Sequence, residues 1–235
     1  MSAPSTVIVQ SPPSASRLTR LIQSSIGQKL VIAATGVILS LFVLGHMAGN
    51  LLAFQGSEAI RKYALGLRMF PALLWAVRLG LLAAVGLHIW AYWVLSWKSW
   101  GARPAGYRVT AYEESSWASR TMRWTGPILL AFVIYHILHM TLGLKALHPN
   151  FDHNYDVYHN LVTGLQVVWV GVFYIVAALA LGFHLWHGVW SLFQTIGISQ
   201  PRYKSVARRL ATIFTIVVVG GFIAVPLAIL TGFLR

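Results

Sequence analysis

Six histidines lie inside long apolar stretches of this 235-residue chain, and part of their spacing repeats. "YHILHM" sets His136 and His139 three residues apart, and "FHLWHG" does the same with His184 and His187. His46 in "GHMAGN" and His88 in "GLHIW" stand singly. A polar ring in hydrocarbon is costly unless something pairs with it. Residues at i and i+3 share a helix face, and neutral imidazole is a good metal ligand. The chemistry on offer is ligation of a metal or cofactor. For any one ring taken alone, a hydrogen-bonded core histidine is the commoner explanation.

The remaining donors narrow the choice. No cysteine is present, which excludes disulfides, cysteine-ligated iron–sulfur clusters and covalently attached c-type haem. Every acid (Glu58, Glu113, Glu114, Asp152, Asp156) falls between apolar stretches. A zinc site built on H-x-x-H or a di-iron carboxylate site would lack its acidic ligands. A proton-coupled transporter would be expected to carry a carboxylate within the bundle.

The elements that must position these rings are membrane helices. Hydrophobic residues make up 57% of the chain and charged residues 10%, against about 25% charged in soluble proteins. Five stretches, about 29–54, 71–97, 124–147, 161–195 and 207–234, each reach the roughly 20 residues a bilayer requires. The expectation is an all-α integral membrane protein with five transmembrane helices, the first four forming the histidine-bearing bundle. The fourth stretch is long enough to tilt or project from the bilayer, and Pro226 is expected to kink the fifth. Residues 1–20, rich in Ser and Pro, read as a disordered cytoplasmic segment before a membrane domain over 21–235. The first apolar run is too long for a signal-peptide core.

The net charge of +13 does not point to nucleic acid, because the cations flank apolar runs rather than forming an aromatic-interleaved patch. They report topology. Arg17, Arg20, Lys29, Lys98, Arg103, Arg108, Arg120, Arg123, Arg202, Lys204, Arg208 and Arg209 fall on one side. Arg61, Lys62, Arg68, Lys145 and Arg235 fall on the other, and Arg78 lies within the second stretch. The heavier side should be cytoplasmic. That puts the N-terminus inside, the C-terminus outside and the protein in a prokaryotic cytoplasmic membrane. Trp97, Trp100, Trp117 and Trp124 lie near the expected interfaces, where tryptophan is enriched.

Orientation gives each histidine a depth. His46, His136 and His139 come late in outward-running spans. His88, His184 and His187 come late in inward-running ones. The rings therefore sort into two levels, each drawn from two helices and separated by on the order of 10–20 Å at 1.5 Å per residue. Two b-type haems stacked across the membrane fit that arrangement, each needing one imidazole from either face. Gly45 and Gly49 beside His46, Gly86 before His88, and Gly182 and Gly188 around His184 offer backbone that a macrocycle can approach. Glycine at ordinary helix contacts is the alternative.

Four motifs in order carry a family resemblance: "SSIGQKLVIAATG" with "GHMAGNLLAFQG", "GLHIWAYWVL", "RWTGPILLAFVIYHILHMTLG" and "FHLWHGVWSLFQTIG". Over about residues 24–234 the chain resembles the dihaem cytochrome b membrane anchor of succinate:quinone oxidoreductases, of the single-subunit, five-helix type. The resemblance implies partnership with a flavoprotein subunit and an iron–sulfur subunit on the cytoplasmic face. It also implies electron transfer through two haem b groups to a quinone, menaquinone in this type. The implied axial ligands are His46 and His136 for the distal haem and His88 and His184 for the proximal one. Arg78 is then the candidate cation for distal propionates. Lys29, Arg123, Ser24 and Ser25 are candidates at the proximal haem or a quinone beside it. His139 and His187 either contact propionate or quinone or are packed polar residues. His148, His153 and His159, in "LHPNFDHNYDVYHN", are expected in a solvated loop. The alternatives are a dihaem anchor of another respiratory dehydrogenase and a haem-free, histidine-bearing transporter.

Overall fold

The computed structural model describes Ser16, Thr19 and residues 22–102, 117–154, 156–198 and 200–235. The segment expected to be disordered over 1–20 therefore lies, apart from Ser16 and Thr19, outside the described residues. So do Arg103, Arg108, Glu113 and Glu114.

Helix α1 spans Ser25–Leu51 and runs on through a 3-10 turn, Leu52–Gln55. The Ser24 hydroxyl caps its start by accepting from the Gly27 N–H, which satisfies one of the donors a helix N-terminus leaves free. Gly56, at φ 97°, turns the chain into a short helix, α2, over Ser57–Arg68. Glu58 in its first turn and Arg68 in its last match the helix dipole. Arg61 and Lys62 pair with Glu58 one turn away. Helix α3, Pro71–Gly101, opens on a proline, where a missing N–H costs nothing.

Helix α4, Trp117–His136, passes through Pro127 and ends in a π-helical turn, Ile137–Thr141. Here the structure departs from the sequence-based boundary: the helical run stops at Thr141, not at 147. Gly143 adopts φ 57°, and a Cβ there would lie 2.2 Å from the Phe151 ring. The chain therefore turns at a position that only glycine suits. The fourth apolar stretch also differs. It is two helices, α5 over Val157–Leu165 and α6 over Val168–Thr195, separated at Gln166 and Val167. Asp156 caps α5 through the His159 N–H. Close packing at the join leaves no room for a side chain at Gly171, whose Cβ would sit 2.7 Å from the Leu165 carbonyl. Helix α7, Pro201–Leu230, continues through Pro226.

Among the described residues five helical runs are long and apolar enough to cross a membrane: Ser25–Gln55, Pro71–Gly101, Arg120–Thr141, Val168–Thr195 and Pro201–Leu230. The close-packed pairs are α1 with α3, α4 with α6, and α6 with α7; α1 also touches α6 and α7. Trp186 Nε1 donates to Thr212 across the α6–α7 seam, and Gly221 of α7 leaves space for Met47 of α1. Neither α1 with α4, nor α3 with α6, nor α3 with α4 is close-packed. The largest buried apolar cluster lies at one end. There α2 and α5 pack on each other and on the ends of α6 and α7, around Ala53, Ile60, Val162, Leu165, Val225 and Ile229. This capped end also bears the buried faces of the 142–154 loop.

Candidate functional site

Four of the histidines meet as two pairs between helices that are not close-packed. His46 of α1 faces His136 of α4, with ring centres 5.7 Å apart and planes at 78°. His88 of α3 faces His184 of α6 at 6.3 Å and 53°. Two imidazoles bound through nitrogen to one metal should have ring centres about 6 Å apart, from metal–nitrogen bonds of about 2 Å. Both separations are in that range.

Hydrogen bonds to Nδ1 orient three of the four rings. The Thr35 hydroxyl lies 2.6 Å from the Val31 carbonyl and donates to it. It is left to accept from His88 Nδ1, 2.9 Å away. A proton on Nδ1 leaves the Nε2 lone pair free. Thr125 stands 3.5 Å from His184 Nδ1, a longer and weaker contact. His136 Nδ1 is 3.2 Å from the Tyr174 hydroxyl. His46 packs against Phe42 and Phe222.

The two levels are set by helix rise. Thr35 lies 11 residues before His46 (46 − 35), and Thr125 lies 11 before His136 (136 − 125). Eleven residues make just over three full turns and rise about 16 Å. On α1 and on α4 alike, one face therefore carries a histidine at one level and the threonine serving the other level. Sequence reading did not single out these threonines, although the repeated Thr–His interval was there to be seen. Gln28, seven residues before Thr35 on the same face, is 1% exposed and its Oε1 has no hydrogen-bond partner.

The glycines divide. A Cβ on Gly45, Gly86, Gly126 or Gly188 would meet open space. Gly49 instead admits the Tyr63 ring of α2, and Gly182 admits Val219 of α7. Glycine thus serves ordinary helix packing at Gly49 and Gly182, while a Cβ on Gly36 would lie 3.6 Å from the His88 ring.

The companion histidines are placed differently from one another. His139 is 1% exposed, and its Nδ1 is 2.9 Å from the same Tyr174 hydroxyl that meets His136. His187 Nδ1 is buried with no partner. Arg78 lies over Trp75 of its own helix at 5.1 Å, and no hydrogen bond or ion pair joins it to the His46–His136 pair among the described residues. Arg123 lies over Trp100. Lys29 and Ser25 are exposed, and Ser24 is the cap already described.

His148 was expected in solvent and is instead 2% exposed. Its ring lies against that of His139 at 4.8 Å, and Nε2 is 3.0 Å from the Thr163 hydroxyl. Gly164 makes this possible: a Cβ there would stand 2.9 Å from His148, 3.0 Å from His139 and 3.0 Å from Met140. Burial pushes the His148 imidazole below its ordinary 6.5 and charge on His159 adds to this, while the His139 carbonyl opposes both. His153 and His159 are exposed. Between α4 and α6, beside His139, lies a shallow groove of about 500 Å³ lined by Tyr135, Trp169, Val172, Phe173 and Val176. The Tyr135 hydroxyl is buried there without a partner.

Among the described residues no group of three or more His, Cys, Asp or Glu side chains could hold a metal ion. The donor set is two separated imidazole pairs, each between helices that are not close-packed. Such pairs would suit a planar macrocycle held between two rings better than a compact metal site.

The fold and site define a multi-pass helical membrane protein with histidine pairs at two depths. Residues 102–224 match the family described as the succinate dehydrogenase/fumarate reductase transmembrane subunit. The chain belongs to that family and is a membrane subunit of such a complex. The matched range contains His136, His139, His184 and His187; His46 and His88 precede it. No similar curated protein and no similar solved structure was found.

Proposed function

We propose that the chain is the membrane anchor and electron-transfer subunit of a succinate:quinone oxidoreductase. In this reading it holds one haem b between His46 and His136 and another between His88 and His184. The observation that carries it is the pair of imidazole separations, 5.7 and 6.3 Å, between helices that are not otherwise in close contact. Bound haem supplies a one-electron iron couple in the membrane. The protein's own part is to hold each ring with Nε2 free, to keep the pairs apart by about three helical turns, and to exclude charge from their surroundings.

Oxidation of succinate falls to a flavoprotein subunit, and delivery of electrons to an iron–sulfur subunit, because a chain without cysteine cannot hold such clusters. The cation-rich side favours the N-terminus and the His88–His184 level facing the cytoplasm, where that partner docks. The capped end then faces outward. Quinone, of the menaquinone type by family resemblance, is the electron acceptor. The lipid-open groove beside Tyr135 supports its approach at the His46–His136 level, with the buried phenol as a donor to a quinone oxygen.

A reduced-minus-oxidised spectrum of protein purified with haem available tests the reading. A b-type α-band is expected, and its absence ends the proposal. In the same spectrum His184→Ala should remove one haem while His187→Ala keeps both. Equal losses would overturn the ligand assignment. The contrast between His136→Ala and His139→Ala tests the other level in the same way. Succinate-dependent quinone reduction by the purified complex separates this anchor from one serving another dehydrogenase.

A further inference from the structure

We propose that Tyr174, held in turn by His139, is a positioning residue that fixes which ring nitrogen of His136 faces His46. This rests on the dihaem reading above and extends it to residues that the ligand set does not include. The Tyr174 hydroxyl is 3.2 Å from His136 Nδ1 and 2.9 Å from His139 Nδ1. A phenol has one hydrogen to give and lone pairs to accept with, so three assignments exist. If both imidazoles donate, the phenol hydrogen is left without an acceptor in a buried site. If the phenol donates to His136, the proton of that ring sits on Nε2 and no lone pair faces His46. If His136 Nδ1–H donates to the phenol and the phenol donates to His139 Nδ1, every contact is used and Nε2 of His136 is free. The shorter contact is then the one with the O–H donor, as such bonds run shorter than N–H ones.

The polarity of this chain originates in the cap. His139 cannot swing away, because its ring lies between Tyr135 at 5.3 Å and His148 at 4.8 Å, against the bare face of Gly164. The π-helical turn that begins after His136 carries His139, and Nδ1 of both rings converges on one hydroxyl. Tyr174 is held edge-on to Phe132 at 5.1 Å. The second histidine of "HILH" thus serves the first without touching the metal.

The test uses the full chain with haem bound and reads each haem separately, by redox titration and by the low-spin ferric EPR signals. Tyr174→Phe removes the acceptor for His136 Nδ1–H, which lowers the electron density on that ligand. The midpoint potential of the His46–His136 haem should rise and its EPR signal shift, with the other haem unmoved. His139→Leu takes away the acceptor of the phenol hydrogen and weakens the bond that Tyr174 accepts from His136, so the haem at that level should be retained with its EPR signal shifted and its midpoint potential raised. His139→Gln offers an amide oxygen in place of Nδ1 and should restore both. An unchanged haem in Tyr174→Phe, equal shifts of both haems, or a Gln variant shifted as far as the Leu one would overturn the proposal. A wild-type preparation without any b-type band overturns the dihaem reading itself, and the proposal with it.

Discussion

The hydroxyl of Thr35 has one hydrogen, and the Val31 carbonyl at 2.6 Å takes it. His88 Nδ1 must therefore be the donor across 2.9 Å. A hydrogen bond in this position makes an imidazole more electron-rich as a ligand, and losing such a bond typically weakens metal affinity about 10- to 100-fold. Thr35→Val keeps shape and removes the acceptor. It is expected to raise the midpoint potential of the His88–His184 haem and weaken its retention about 10-fold, without moving the other haem. Thr125→Val should have a smaller effect, because its contact with His184 is already 3.5 Å. Redox titration of the two variants against wild type checks the order. Equal effects would show that the two threonines do not act through hydrogen bonds of unequal strength. That spans one and three, and spans two and four, bring their histidines together was legible from depth along each span. The choice of His136 over His139 and of His184 over His187 came from the family resemblance. The roles of Thr35, Thr125 and Tyr174 were not legible, because one hydroxyl in an apolar run looks like any other until its neighbours across the bundle are known.

At the scale of elements, hydropathy identifies where apolar segments lie but not where their helices break. "LVTGLQVVWVGV" is apolar apart from Thr163 and Gln166, and one glutamine at the join of α5 and α6 is too slight a mark in composition to locate a break. Likewise, Pro149 and Asn150 mark a surface loop, yet the neighbouring His148 is buried because α5 folds over it. That burial depends on Gly164, which lies against both His139 and His148. Gly164→Val should cost about 1–3 kcal/mol by overpacking and lower the thermal midpoint in detergent by several degrees. A midpoint equal to wild type would mean the cap repacks freely. The same burial makes a pH prediction. With the folded pKa of His148 below 6.5, the unfolded chain binds the proton more readily than the folded one. The contribution is fully favourable above about 6.5 and is lost as pH falls through the folded value. Thermal stability should fall between pH 7 and 5, and the fall should be shallower in His148→Gln. An identical slope in the two proteins would place the acid sensitivity elsewhere.

For the whole molecule, which end faces the cytoplasm decides where, on the proposed reading, an iron–sulfur partner would meet the histidine pairs. Five membrane crossings would put the start of α1 and the end of α7 on opposite sides. The cation count favours Lys98, Arg120, Arg123 and Arg202 to Arg209 on the inside, although the basic α2, with Arg61, Lys62 and Arg68, works against it. Glu58 offsets part of α2's charge by pairing with Arg61 and Lys62. A chain without cysteine allows a clean test. Ser57, at the start of α2, and Ser99, near the end of α3, are both exposed and lie at opposite ends of the bundle. In intact cells a membrane-impermeant maleimide should label Ser57→Cys, and it should reach Ser99→Cys only after permeabilisation. With that result the His88–His184 pair is the one nearer the cytoplasm and receives electrons first. The reverse pattern would invert the protein, place the capped end inside, and require the His46–His136 pair to be the entry point instead.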